Sequence, residues 1–334
     1  MSLQIRLSEA CVPSPTARYS GFQFAAYRSG QYFQGHGGFT YVAGGEPVKS
    51  DTLFDLASLT KLFTASVAAR LSAAGELDLD APISSWSKLK FHPTQRALSS
   101  RDLLTHISGL PAEWTEKGSR PQTINSLLDT PSDPKHKGDL LYACTGYSLF
   151  ALALEEATGN SIGEWIKKLV TNPLELANVT YRPDKQESVA VSCTPEQVIP
   201  AGIVHDPRAR ALGGVSGNAG LFGNSIDLLK FAIEVGFGTY GVLEDEARKL
   251  LSTPSSSGEW GQALGFRVGD TNRIGPDRNW LSHSGFTGTL LIADPDGERA
   301  GVLLTNRLSV DSSREGIAEI YRSFSDSLSS GEIE

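Results

Sequence analysis

Residues 54–75 read FDLASLTKLFTASVAARLSAAG. The apolar positions Leu59, Leu62, Phe63, Val67 and Leu71 follow the i, i+3, i+4 rhythm of an amphipathic helix. Gly75 stands where a C′ glycine would end it. Ser58 and Lys61 fall at the start of this helix, three residues apart. At that spacing two side chains share a helical face, so the Lys amine can reach the Ser hydroxyl. A serine hydroxyl is a weak nucleophile that needs such a proton acceptor. A helix N-terminus adds positive potential that favours an oxyanion nearby.

Spacing alone does not decide the matter. The S-x-x-K pattern occurs at Ser58/Lys61, Ser85/Lys88, Ser87/Lys90 and Ser132/Lys135. Pro134 sits inside the last copy and is unwelcome in a helix interior. The Ser85 and Ser87 copies lead into no sustained apolar stripe. Only Ser58 opens a helix, and a capping serine with a surface lysine remains the plain alternative there.

Outward from this helix the chain changes texture twice. Phe22–Arg28 alternates like a strand, Ser29-Gly30 turns, and Gln31–His36 returns. Residues 80–210 hold helical pieces (Ser99–His106, Gly146–Thr158, Ser161–Leu169) broken by proline-bearing loops. Beyond Gly223, Ser225 reads as the N-cap of a helix through Ile233. Gly285–Ala293 and Ala300–Asn306 are strand-like runs around the turn sequence Asp294-Pro-Asp-Gly297. A final helix carries Ile317, Ile320, Tyr321, Phe324 and Leu328 on one stripe, with Asp311 as its cap. The simple topology is a mixed α/β domain made from both ends of the chain, with a mostly helical domain inserted. A cleft between the two is the default ligand site.

The 334 residues are enough for a large core, and 40% apolar with 20% charged is ordinary globular composition. With 30 Lys+Arg against 38 Asp+Glu, the net charge is −8. That balance disfavours nucleic acid and anionic lipid as partners. The short cationic run Lys135–Lys137 reads as a solvated loop. Cys11, Cys144 and Cys193 form no C-x-x-C pair, and no histidine stands at H-E-x-x-H spacing. No metal site or cofactor is therefore expected. The odd cysteine count suggests a reducing compartment. With no apolar h-region at the N-terminus and no apolar stretch long enough to span a membrane, a cytoplasmic location is expected.

Two further segments can carry chemistry. Leu141–Tyr147 precedes a helix, and a tyrosine there can act as a base if ammonium groups favour its phenolate; otherwise it is a packing residue. In Trp280–Phe286, His283 can face a ligand while Gly285 lets the backbone come close; otherwise it is a structural histidine. The run Gly213–Gly223 lacks the G-K-[ST] ending of a phosphate loop. It reads as a tight crossing between the helical insertion and the α/β part.

In order, Ser58-x-x-Lys61, Tyr142-x-Cys144 and His283-Ser-Gly285 resemble the S-x-x-K, Y-x-N and [KH]-[ST]-G motifs of the serine β-lactamase-like superfamily. That group includes class C β-lactamases, penicillin-binding D,D-peptidases, D-aminopeptidases and related carboxylesterases. Phe54–Lys61, Leu103–Pro111 and Gly214–Phe231 are similar to the family's connecting segments. The resemblance runs from about Gly21 to Asn306. It implies an α/β (α+β) fold, an antiparallel sheet flanked by helices. Residues 1–78 and 216–334 would form one domain, 79–215 the inserted helical one, and the active-site cleft would lie between them.

The resemblance also implies roles. Ser58 is the acyl-accepting nucleophile and Lys61 its proton partner. Tyr142 relays protons to the leaving group and activates the deacylating water. His283 is a polarising group opposite. The backbone N–H groups of Ser58 and Phe286 form the oxyanion hole, and Cys144, Ser284 and Gly285 line the substrate site. Cys144 stands where the family usually has Asn, and a thiol donates and accepts weakly. His283 stands where some relatives carry Lys. Both changes point away from a specialised β-lactamase. The expected function is a serine hydrolase acting through an acyl-enzyme on small carboxylic esters. The alternatives are β-lactam or D-peptide hydrolysis, and a non-catalytic acylation sensor or penicillin-binding protein. The partner is a small-molecule substrate; the motifs do not address oligomeric state.

Overall fold

The two ends of the chain meet in one sheet. In the computed structural model, which describes residues 2–14, 18–184, 189–193, 196–197, 199–276, 278–310 and 316–330, this sheet has eight strands. They are β1 (Gly21–Arg28), β2 (Gln31–Gly38), β5 (Ser256–Ser257), β6 (Gly261–Gln262), β7 (Arg267–Val268), β8 (Leu281–Gly285), β9 (Thr289–Asp294) and β10 (Arg299–Thr305), ordered β2-β1-β10-β9-β8-β7-β6-β5. Every pairing is antiparallel, and β1 lies against β10 with Phe24 opposite Leu303. A separate two-stranded ladder joins β3 (Phe54–Asp55) to β4 (Phe222–Gly223).

Helices cover both faces of the sheet, which is why β9 and β10 read as continuous apolar runs. Along β9, Leu290 and Ile292 point to one face and Leu291 and Ala293 to the other. Together with Phe24 and Leu303, the first pair packs on α1 (Leu3–Ala10) and on α12 (Ile317–Ser329), whose stripe Ile317, Ile320, Tyr321, Phe324 and Leu328 is buried. The second pair faces the larger core with α2 (Thr60–Ala73) and α9 (Ser225–Phe237), where Phe63 and Phe231 stack at 4.3 Å. The result is a layered helix, sheet and helix sandwich.

The segment between the two sheet-forming ends is helical. It holds α3 (Ile83–Trp86), α4 (Ser100–Leu104), α5 (Arg120–Leu128), α6 (Cys144–Thr158), α7 (Ile162–Ile166) and α8 (Pro207–Ala211). After α9 come α10 (Asp245–Ser252) and α11 (Thr271–Ile274). Ser99 and Asp102 close a capping box on α4, and Ser161 and Glu164 close another on α7.

Several boundaries differ from the sequence reading. The helix beginning near Ser58 is not amphipathic: eleven of the fourteen residues of α2 are buried, Thr60, Lys61, Thr64 and Ser66 among them. Their polar atoms bond within the helix or to the glycine run, as when Thr64 Oγ1 donates to the Gly217 carbonyl at 2.9 Å. The strand read as starting at Gly285 is two strands, because Gly288 (φ +92°) folds the chain back and its N–H bonds the Gly285 carbonyl. Asn224, not Ser225, caps α9, accepting from Asp227 N–H at 2.9 Å. The helix expected to reach Leu169 leaves α-geometry after Ile166 and widens into a π-turn over Lys167–Thr171. Asp311, the expected cap of the last helix, lies outside the described residues.

Candidate active site

The turn into α2 is held from three directions. Ala57 adopts φ +45°, an unfavourable conformation for a residue with a Cβ, immediately before Ser58. Asp55, wholly buried, stabilises it: one carboxylate oxygen accepts from Ala57 N–H at 2.8 Å and the other from His205 N–H at 2.7 Å. From the turn between β8 and β9, Thr287 Oγ1 donates to the Asp55 carbonyl, and from β9 Thr289 Oγ1 donates to the Leu56 carbonyl. Gly285 permits that approach, since a Cβ there would lie 2.7 Å from the Leu56 oxygen. Ser58 is thus presented at the cleft by a strained turn whose backbone groups are tied down.

Lys61 is not a surface cation. It is fully buried, and its Nζ donates to Ser58 Oγ and to the Asn218 carbonyl, each at 2.9 Å. The rings of Tyr142 and Tyr147 stand 5.2 and 5.7 Å from it. Burial alone would lower its pKa. The anionic forms of Cys144 and Tyr142 outweigh that and hold the ammonium above the ordinary lysine value.

The glycine run makes the tight crossing expected of it. A Cβ on Gly217 would come within 2.3 Å of the Tyr147 carbonyl. The adjoining Asn218 is fixed by Ser148 and Ser216, whose hydroxyls meet its Oδ1 at 2.9 and 2.7 Å. The crossing delivers the Asn218 carbonyl to Lys61.

Tyr142 lies in the segment leading into α6, between two histidine rings, at 4.5 Å from His106 and 5.9 Å from His283. Both histidines are buried, and both are held well below the usual imidazole range, first by burial and then by the Lys61 and Arg267 cations. Their backbone partners assign the tautomers. His106 Nδ1 accepts from Ala143 N–H at 3.0 Å, so its proton is on Nε2. His283 Nδ1 bonds the Ser284 carbonyl at 3.0 Å, so it carries the proton and leaves Nε2 as an acceptor. His283 is thus a neutral group beside Tyr142.

Positive charge enters from another quarter. Asp270, buried, accepts from Arg267 at 3.0 Å and Arg273 at 2.5 Å. Arg273 Nε also donates to Ser284 Oγ at 2.8 Å. One carboxylate between two guanidiniums leaves this wall cationic. The Arg267 guanidinium lies 4.0 Å from the Trp260 ring centroid and 5.1 Å from that of Tyr142.

Tyr142, Trp260, Arg267, Arg273 and Ser284 line a cavity of about 740 Å³ together with Ser58, Cys144, Gly285 and Phe286. His205 stacks on Phe286 at 5.4 Å, and the Phe286 carbonyl accepts from Arg307. All eight residues singled out from the sequence converge on this region. Lys61 and His283 stand at its buried edge, in contact with Ser58 and Tyr142 respectively. Asp55, His106, Asn218, Trp260, Arg267 and Arg273 were not anticipated. His106 lies inside Leu103–Pro111, so the motif segment itself was its signal; the arginines carry no spacing that marks them.

A sheet made from both chain ends, helices on both faces and a Ser–Lys pair at a helix start define a β-lactamase-fold protein of the serine hydrolase superfamily. A family model described as Beta-lactamase matches residues 9–323, and the chain belongs to that family. A putative D-alanyl-D-alanine carboxypeptidase of Escherichia coli (strain K12) is 26% identical over 314 residues, covering 78% of this chain and 71% of the relative. An N-acetylmuramyl-L-alanine amidase of Bacillus subtilis (strain 168) is 29% identical over 305 residues, covering 78% and 69%. Among solved structures, EstCE1, a hydrolase with promiscuous acyltransferase activity, superposes with a TM-score of 0.79 at 19% identity over 98% of both chains, a likeness of fold. No helix of the described residues is long and apolar enough to cross a membrane.

Proposed function

We propose that this protein hydrolyses small carboxylic esters through an acyl-enzyme on Ser58. The observation that carries the reading is the 2.9 Å hydrogen bond between Ser58 Oγ and the fully buried Lys61 Nζ. On this reading Ser58 Oγ attacks the ester carbon and its proton passes to the Tyr142 oxygen of the Lys61–Tyr142 pair, in which Lys61 stays an ammonium. The oxyanion is received by the N–H groups of Ser58, in the first turn of its helix, and Phe286. Tyr142 returns the proton to the departing alkoxide. A water then repeats the sequence: its proton goes to the same unit, its oxygen attacks the acyl carbon, and Ser58 leaves reprotonated. Neutral His283 offers an acceptor beside Tyr142, and Cys144 and Ser284 border the bound acyl group. The cleft would then lie between a domain of residues 1–78 and 216–334 and a helical one of residues 79–215.

A second reading, cleavage of a D-peptide or lactam amide next to a carboxylate, draws on the cationic wall where Arg273 meets Ser284. It also agrees with the names of the curated relatives. Steady-state hydrolysis of short p-nitrophenyl esters by wild type and Ser58→Ala tests the principal reading. Loss of turnover in the variant supports it; equal rates overturn it. Nitrocefin and a D-alanyl-D-alanine peptide, run beside the esters, separate the two readings. A persistent acyl adduct on Ser58 without turnover would instead indicate an acylation sensor.

A further inference from the structure

Tyr142 is surrounded by ionisable groups from five directions. Lys61 faces it from α2, His106 from the segment after α4, Cys144 and Tyr147 from α6, Arg267 from β7 and His283 from β8. Two of these are cations in the resting site, Lys61 and Arg267. Lys61 is occupied with Ser58 and the Asn218 carbonyl. His283 is neutral and stands where a second ammonium would serve in some relatives. A phenol that must give up and retake a proton needs positive charge close by and persistent through the cycle. Lys61 is one such charge, and a cation that takes no part in the proton transfers is a second. Arginine stays protonated at any working pH.

The setting of Arg267 fits this task. Its guanidinium is stacked between the rings of Trp260 and Tyr142 and tied to Asp270. Trp260 is held in turn by Gln262, which accepts from its Nε1 at 2.9 Å, and Gln262 donates to the Ala263 and Phe266 carbonyls. Arg267 pairs across the ladder with Ser282, which places it beside the strand that carries His283. A cation over an aromatic face in a buried site is attracted by the ring, and more strongly once the phenol is ionised.

We propose that Arg267 is a positioning residue for acyl transfer, holding the Tyr142 ring from its face and supplying the permanent positive charge that neutral His283 does not. The inference rests on the reading of Tyr142 as the proton relay. Asp270 tunes the effect, since its carboxylate offsets part of the Arg267 charge.

The test is the pH profile of kcat/KM for a p-nitrophenyl ester, from pH 5 to 10, in wild type, Arg267→Met, Arg267→Lys and Asp270→Asn. Removing the cation moves the acid limb of the profile to higher pH by about one unit. Arg267→Lys keeps the charge and recovers most of the shift. Asp270→Asn unmasks the charge and moves the limb to lower pH. A folded Arg267→Met protein that loses activity equally at every pH overturns the proposal and leaves Arg267 a packing residue. If Arg267→Met does not fold, an unshifted limb in Asp270→Asn overturns it instead. Ser58→Ala and Tyr142→Phe separate the premises: turnover retained in the first, or an unchanged acid limb in the second, refutes the reading of the site rather than the place of Arg267 in it.

Discussion

Lys61 Nζ bridges Ser58 Oγ and the Asn218 carbonyl, joining the start of α2 to the glycine-rich crossing through one buried ammonium. The surroundings favour the charged form in spite of its burial, so the fold holds the ammonium as well as placing it beside Ser58.

Lys61→Met tests both contributions. Methionine fills a similar volume without the charge. Ester turnover should fall at least 1,000-fold if Lys61 acts directly on Ser58. Stability should fall by about 1–3 kcal/mol, because the buried Asn218 carbonyl loses its donor. Chemical denaturation alongside the ester assay checks both. A protein of unchanged or higher stability would show that the ammonium is not a net structural bond.

Gly285→Ala should damage site and fold together. Its Cβ would meet Thr289 Oγ1 at 2.2 Å and the Leu56 oxygen at 2.7 Å, and neither is the end of a flexible side chain. Pushing β8 away from the turn before Ser58 should destabilise by about 1–3 kcal/mol and lower kcat by more than 100-fold, since small misplacements of a reacting atom are expensive. Thermal melting and ester kinetics read the two effects.

Asp55 should leave a signature in the pH dependence of stability. Burial is the largest influence on this carboxyl and raises its pKa from 3.8 to about 6, against the lowering effect of the His205 and Ala57 N–H bonds. Between those values the folded protein binds the proton more tightly than the unfolded chain. The contribution of Asp55 to stability therefore grows as pH falls from above 6 towards 4 and is lost as pH rises again. The melting temperature of wild type relative to Asp55→Asn should increase over that fall in pH. A difference independent of pH would contradict this assignment.

Cys144→Asn exchanges a weak donor and acceptor for a strong one at the lining of the Ser58 cavity. Amide or lactam turnover should rise relative to ester turnover, by about 10-fold for one recovered hydrogen bond. The ratio of nitrocefin to p-nitrophenyl ester turnover in the two proteins is the measurement.

Much of this arrangement was legible before any coordinates. The turn Asp294–Gly297 and the strands around it, the C-terminal apolar stripe and the start of α2 are local patterns, recorded in residues close to one another. The misplaced features share a cause. Thr60, Lys61, Thr64 and Ser66 look like an exposed helix face, but the glycine run and α6 cover them, and periodicity cannot register a lid supplied from elsewhere in the chain. The strand break at Gly288 needs a positive φ that the apolar run around it conceals.

The sequence alone determined which reactive groups are available and their order, Ser58 with Lys61, then Tyr142, then His283, because these are covalent facts of the chain. Only the tertiary structure decided their state. That Lys61 is buried, that His106 and His283 are neutral with assigned tautomers, and that Arg267 rather than His283 brings positive charge to Tyr142 all depend on distances and burial. Those are fixed by packing between segments far apart in the chain, and electrostatic energies depend on them steeply.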